Sequence, residues 1–142
     1  MGDTTERTLV LLKPDAVQRK ICGEIISRFE RKGLVLTALK LLALPPETAA
    51  KHYEEHLGKS FYPALIEFIT SGPIVAMVLS GPNAVKVVRT MMGTTNPVDA
   101  MPGTIRGDYA TVMSSNIVHG SDSIVSAQRE IAIYFTEQEL VQ

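Results

Sequence analysis

Short apolar runs cut by Gly and Pro alternate along this chain with stretches in which apolar residues recur at helical spacing. The run TLVLLK at 8–13 has the length and unbroken apolar character of a strand covered on at least one face near a sheet centre. Pro14 ends that run and can open a helix, where its missing N–H is no loss. GEIISRFERKG at 23–33 sets Ile25, Ile26 and Phe29 on one helical face, and Gly33 supplies a stop after Arg31 and Lys32. LVLTALKLLAL at 34–44 then predicts a second strand ahead of Pro45 and Pro46.

PETAAKHYEEHLG at 46–58 predicts a helix ended by Gly58, and YPALIEFIT predicts another. PIVAMVLS at 73–80 is a strand bounded by Gly72 and by Gly81-Pro82. NAVKVVRTMMG puts Val85, Val88 and Met92 on one side of a helix and Lys86 and Arg89 on the other, with Gly93 as its stop. Between Gly93 and Asn116 the composition turns to Gly, Pro, Thr and Asn, which reads as a long loop, and loops of that length in compact domains are usually functional or disordered. NIVH at 116–119 predicts a short last strand, and Ser and Asp residues after it are capping candidates for a final helix through SAQREIAIYF.

This alternation of strands and helices with short turns implies an α+β or α/β protein with a small central sheet. The spacing fits an α+β ferredoxin-like βαββαβ core, a four-stranded antiparallel sheet covered by helices, if the helices at 46–71 are an insertion and a long loop precedes the last strand. A chain of 142 residues is expected to make a single domain, 1–142.

Charge and cysteine content narrow the partners. Lys and Arg total 14 against 15 for Asp and Glu, so no overall basic field recruits nucleic acid or an anionic membrane, and phosphate binding must come from local placement. Cys22 stands alone, which excludes an internal disulfide framework and fits a reducing compartment, with the cytoplasm as the default location. The N-terminal charges do not build a signal peptide, Glu6 breaks the myristoylation pattern, and no apolar run approaches membrane-spanning length.

Three motif look-alikes are set aside on their own chemistry. GKS at 58–60 resembles the end of a P-loop, but the glycine that motif needs is replaced by Tyr53, and the segment ends a helix instead of opening one. In HYEEH, His52 and His56 stand four apart with no third metal ligand apparent, which reads as an exposed polar helix face. RGD at 106–108 has no adhesive use without a secretion signal, leaving Arg106 as a solvated loop charge or a phosphate clamp.

NIVHGSDS at 116–123 is different. His119 ends a short apolar strand and is followed by small residues, so its imidazole is accessible at a sheet edge. Its possible jobs are a structural residue, a metal ligand, a proton shuttle or a nucleophile. Imidazole as a side-chain type is partly neutral near pH 7 and attacks without a separate base. GxSxG is absent and Cys22 has no indicated partner, so no rival nucleophile stands out.

NIVHGSDS resembles the signature of nucleoside diphosphate kinases, and ERTLVLLKPDAV, SGPIVAMVLSG, TNPVDAMPGTIRGDY and SAQREIAIYF resemble segments of the same family in the same order. The resemblance implies that a nucleoside triphosphate phosphorylates His119 at Nδ1 and that the phosphohistidine then phosphorylates a nucleoside diphosphate, in a ping-pong cycle. It implies phosphate and ribose contacts at Lys13, Tyr53, Arg89, Thr95, Arg106 and Asn116. It sets the base against Phe61 with Met113 opposite, and assigns Ser121 and Glu130 to the support of His119. Mg²⁺ is implied as an ion carried on the nucleotide phosphates, since the sequence shows no carboxylate cluster to cage it. A homo-oligomer, tetramer or hexamer, is implied as well.

The chain departs from the family pattern at Lys59-Ser60, where Arg-Pro is common, and at Met113, where Val is more usual. The alternative functions are a regulatory or nucleic-acid-binding protein of the same fold, which the near-zero net charge does not support, and a phosphocarrier charged by another protein.

Overall fold

The computed structural model describes residues 5–141; positions 1–4, the first residues of the stretch read for a signal peptide, and 142 lie outside the described residues. Four strands, β1 (Thr5–Leu12), β2 (Val35–Leu42), β3 (Ile74–Pro82) and β4 (Val118–Gly120), form one sheet in the order β2-β3-β1-β4. Every pairing in it is antiparallel. This is the order of the ferredoxin-like core expected from the spacing.

β1 and its neighbour β3 hold the two central places, as suits strands buried on both faces. Side chains alternate across a strand, and here both sets are apolar: Val10 and Leu12 enter one core, Leu9 and Leu11 the other, all at 0% exposure. On the first face lie α1 (Pro14–Gln18), α2 (Cys22–Lys32) and α5 (Ala84–Met92), which contribute Ala16, Ile25, Phe29, Val88 and Met92. The second face is covered by α3 (Pro46–His52), α4 (Tyr62–Ile69) and α7 (Ile124–Tyr134), with Ala49, Ile69, Ile131 and Tyr134. α3 and α4 are the insertion between β2 and β3.

The stops fall where the chemistry places them. Gly33 caps α2 in the left-handed region at φ 104°, with its N–H donating to Glu30 O and Phe29 O. The Ser123 side chain accepts the Ser126 N–H to cap α7. Two expectations need correction. The helix expected over 46–58 ends at His52; Tyr53 leaves helical geometry (φ −103°, ψ 20°), so His52 and Tyr53 both enter the interior before a 3-10 turn at Glu54–His56. The long loop before β4 carries structure: a 3-10 turn Pro97–Asp99 capped by Asn96, α6 (Ile105–Tyr109) capped by Thr104, and a 3-10 turn Met113–Ser115. These pieces are too short for helical periodicity to register.

Candidate active site

β4 pairs with β1 for only three residues, Val10 with Gly120, Leu11 with His119 and Leu12 with Val118. Cross-strand partners share a face, so His119 lies on the side of Leu11, the side covered by α3 and α7. Glu130 on α7 meets it there: His119 Nε2 stands 2.9 Å from Glu130 Oε1, and the Ser121 hydroxyl donates to the same oxygen at 2.7 Å. Burial pushes the Glu130 carboxyl up, but those hydrogen bonds and the neighbouring imidazoles outweigh it and hold it at about 2. A carboxylate therefore faces Nε2, and among the described residues Nδ1 makes no hydrogen bond.

The close fit of β4 depends on Gly120. A Cβ there would lie 2.6 Å from Met92 Sδ and 3.0 Å from Val88 Cγ1, so any larger residue would have to push these side chains of α5 aside. The approach to His119 is strained. Ile117 sits at φ 73°, a left-handed conformation unusual for a β-branched residue and worth of order 1–3 kcal/mol of strain. Its N–H donates to Asp15 Oδ2 at 3.0 Å, and its carbonyl accepts the Lys13 N–H at 2.8 Å, so the start of α1 pins the turn.

That turn organises the cations. Asn116, buried, accepts from Lys13 Nζ at 2.7 Å through Oδ1 and donates to Thr95 O at 3.0 Å through Nδ2. The buried Arg106 guanidinium donates to three carbonyls, those of Gly93, Asn116 and Val118. Of the two roles open to Arg106 in the sequence, the solvated loop charge is thus excluded. Arg89 of α5 donates to Gly120 O at 3.2 Å. Burial, and then the neighbouring Arg106, lower Lys13 to about 8, with Asp15 opposing. Burial, and then Arg89, lower Arg106 to about 10. Three cations, Lys13, Arg89 and Arg106, converge on one side of the site, where a group of anionic oxygens would be drawn, while the carboxylate of Glu130 stays committed to His119 and Ser121.

These groups line one cavity of about 640 Å³. Lys13, Arg89, Thr95, Arg106, Asn116, His119 and Glu130 line it together with Tyr53, with Arg106, Asn116, Glu130 and Tyr53 buried and Arg89 and Thr95 exposed. Phe61 and Met113, 49% and 58% exposed, belong to the same cavity. Ser121 alone of the residues singled out in sequence does not reach it; the side chain is fully buried behind Glu130. Lys59 stands 3.3 Å from His56 Nδ1 and over the Phe61 ring, and His56 is tilted against that ring at 5.3 Å between centroids.

One residue was misjudged in sequence. His52 does not lie on an exposed helix face: it is 2% exposed, its ring meets His119 edge-on at 4.7 Å, and Nδ1 is 3.2 Å from the Tyr134 hydroxyl. Burial, followed by repulsion from His119, drives its imidazole down to about 3, so it is neutral. Ala49, three residues ahead on the same helical face and itself buried, is the available signal for an inward face. Asp15 was missed as well, and its one sequence cue is its place just after Lys13-Pro14.

Comparison with known proteins gives a consistent match. A family model described as nucleoside diphosphate kinase matches residues 6–140. A nucleoside diphosphate kinase of Thermus thermophilus is 57% identical over 136 residues, 96% of this chain and 99% of the relative, and one of Archaeoglobus fulgidus is 55% identical over 96% and 90%. Among solved structures, a halophilic nucleoside diphosphate kinase from Halobacterium salinarum in complex with CDP superimposes with a TM-score of 0.96 at 47% identity, covering 98% of this chain and 93% of that one. The Aquifex aeolicus nucleoside diphosphate kinase gives 0.94 at 40% identity, covering 97% and 100%.

Proposed function

The chain belongs to the nucleoside diphosphate kinase family, and on that premise we propose that it moves the γ-phosphate of a nucleoside triphosphate, typically ATP, to a nucleoside diphosphate through a phosphohistidine at His119. The observation that carries this reading is the division of labour on one ring: Nε2 is held by a carboxylate, and Nδ1 carries no protein partner among the described residues.

In the first half-reaction the Nδ1 lone pair forms a bond to the γ-phosphorus, and the bond from that phosphorus to the bridging oxygen breaks. The diphosphate leaves with the electron pair. The proton on Nε2 stays in its bond to Glu130, which offsets the positive charge developing on the ring. Ser121 fixes the carboxylate that fixes the ring. In the second half-reaction a terminal oxygen of another diphosphate attacks the same phosphorus, and the imidazole leaves.

Phosphoryl transfer asks chiefly for placement and positive charge on the transferring oxygens. Lys13 offers a point charge and Arg89 a fork of donors. Arg106 spends three of its donors on carbonyls, so it both shapes the turn and charges the cavity. Asn116, itself donating to the Thr95 carbonyl, positions the Lys13 ammonium, and Tyr53 lines the same cavity, so that these residues would meet the ribose and phosphates. Phe61 and Met113 give the base apolar contacts that do not depend on its hydrogen-bonding edge, which favours a broad range of bases. That the halophilic relative was solved in complex with CDP supports a nucleotide as the occupant of this cavity.

The donor set fits Mg²⁺ carried on the nucleotide. That ion takes about six oxygens and keeps several waters. Glu130 is committed to His119 and Ser121, so of the carboxylates lining the cavity only Asp122 and Glu55 remain to meet such waters. When bound, the ion neutralises phosphate charge and orients the chain of phosphates.

Self-association fits the exposed edge strand β2, whose Leu39 and Leu41 are 50% and 68% exposed, and a homo-oligomer, tetramer or hexamer, would cover it. Among the described residues no helix is long and apolar enough to cross a membrane. A reducing, nucleotide-rich compartment such as the cytoplasm suits both the single Cys22 and the substrates. Initial rates measured with ATP and a diphosphate varied together test the cycle: ping-pong transfer gives parallel double-reciprocal lines, and intersecting lines reject it.

A further inference from the structure

His52 has no part in the cycle above, yet it is buried against the reacting histidine. His52, His119 and Glu130 each offer one ligand atom, and these atoms lie within 4.8 Å of one another. Ligands of tetrahedral zinc stand about 2.0–2.2 Å from the ion, hence roughly 3.3 Å apart, so closing the three around a cation needs side-chain shifts of about an ångström.

We propose that His52, His119 and Glu130 form a capture site for a zinc-like transition-metal cation, and that occupation of this site silences the enzyme. Two imidazoles and one carboxylate with a fourth position open toward a solvent-connected cavity make a donor set suited to such ions. The support around the set is in place. A ligating histidine usually passes its other N–H to an oriented acceptor, and the Tyr134 oxygen, 3.2 Å from His52 Nδ1, is placed to accept it in the tautomer that leaves Nε2 for the ion. Glu130 is held by Ser121. Arg129 Nη2, 3.8 Å from Glu130 Oε2, reduces the negative charge of the set, which disfavours hard cations such as Ca²⁺ and leaves selection to the imidazoles.

Silencing rests on the phosphohistidine reading and follows from the ring's proton count. If the ion takes Nδ1 of His119, the attacking lone pair is used directly. If it takes Nε2, the single proton of the neutral imidazole must sit on Nδ1, and the lone pair is lost all the same. Magnesium on a nucleotide would not substitute, because it seeks oxygens.

The test titrates the intact, chelator-stripped protein with zinc against a chromophoric zinc indicator, without nucleotide. One zinc per chain with a Kd in the micromolar range or tighter is expected, weakened at least tenfold in His119→Asn and in His52→Gln and unchanged in His56→Ala. Since His52 is buried, the part-exposed His119→Asn keeps the test decisive if His52→Gln does not fold. Co²⁺ in place of zinc should show ligand-field absorption that His119→Asn loses. Equal affinity in the wild type and His119→Asn, or affinity that follows His56, overturns the site. Zinc-loaded protein should also fail to form phosphoenzyme from Mg-ATP until a zinc-selective chelator is added; phosphoenzyme formed at the normal rate with zinc bound overturns the silencing. Zinc binding in a protein that never takes label would reject the kinase reading and leave the site standing, so the two failures are distinct.

Discussion

Glu130 Oε1 lies 2.9 Å from His119 Nε2 although the two are eleven positions apart in sequence with a helix start between them. The contact exists because β4 turns His119 toward the face that α7 covers, and Ser121 holds the carboxylate in position from the buried side.

Glu130→Gln keeps the size of the side chain and removes its charge. Phosphotransfer should slow by tenfold or more in kcat, with nucleotide KM little changed, because the carboxylate acts on the ring and not on the substrate. The same change should flatten the acid limb of stability. In the folded protein Glu130 is held below the ordinary 4.5, at about 2, so its charged form favours folding above pH 4.5. That contribution fades as pH falls from 4.5 toward 2. Thermal unfolding of both proteins from pH 7 to pH 3 measures it; parallel curves would contradict the assignment.

Lys13 gives the alkaline counterpart. Lowered to about 8, its ammonium is lost from the free enzyme as pH rises through that value, and the phosphates lose a cation. The apparent kcat/KM should therefore fall above about pH 8. In Lys13→Arg, whose guanidinium stays charged, the fall should move to higher pH. A pH–rate profile of the two proteins checks this.

Much of the fold was legible and the site less so, for physical reasons. β1 declared itself as a run apolar on both faces, Gly33 and Ser123 marked helix ends by their backbone and hydroxyl chemistry, and the Gly-bounded β3 stood out. The 93–116 stretch read as loop because α6 and its flanking 3-10 turns are fixed by side-chain caps from Asn96 and Thr104, local bonds that leave no periodic trace. The site residues were named through the resemblance of NIVHGSDS and its companion segments, since spacing alone does not bring Lys13 to Asn116 or Glu130 to His119. His52 was misread for a related reason: a helix that unwinds at Tyr53 can turn two successive side chains inward, which the helical wheel of an unbroken 46–58 helix does not allow.

Phe61 is half-exposed, so truncating it disturbs the core little. Phe61→Ala should raise KM for ATP, GTP and CTP by about tenfold alike, as expected from losing a base stack worth roughly 1–3 kcal/mol, while unfolding shifts little. A loss confined to one base would show that the ring selects instead of merely stacking.

Gly120→Ala forces a Cβ to 2.6 Å from Met92 Sδ. Destabilisation of about 1–3 kcal/mol is expected from the overpacking. Because the residue adjoins His119, phosphoenzyme formation should slow as well. Denaturant titration beside single-turnover labelling separates the two effects, and an unchanged midpoint would show that α5 yields freely.

The most direct measurement is incubation of the protein with γ-labelled ATP and magnesium in the absence of acceptor. Acid-labile, base-stable label should appear on the protein with a stoichiometry approaching one per chain, be absent in His119→Asn, and leave at once on addition of GDP, CDP or UDP as the matching triphosphate. Transfer between nucleotides at full rate with no labelled protein, or label that survives in His119→Asn, would contradict the account.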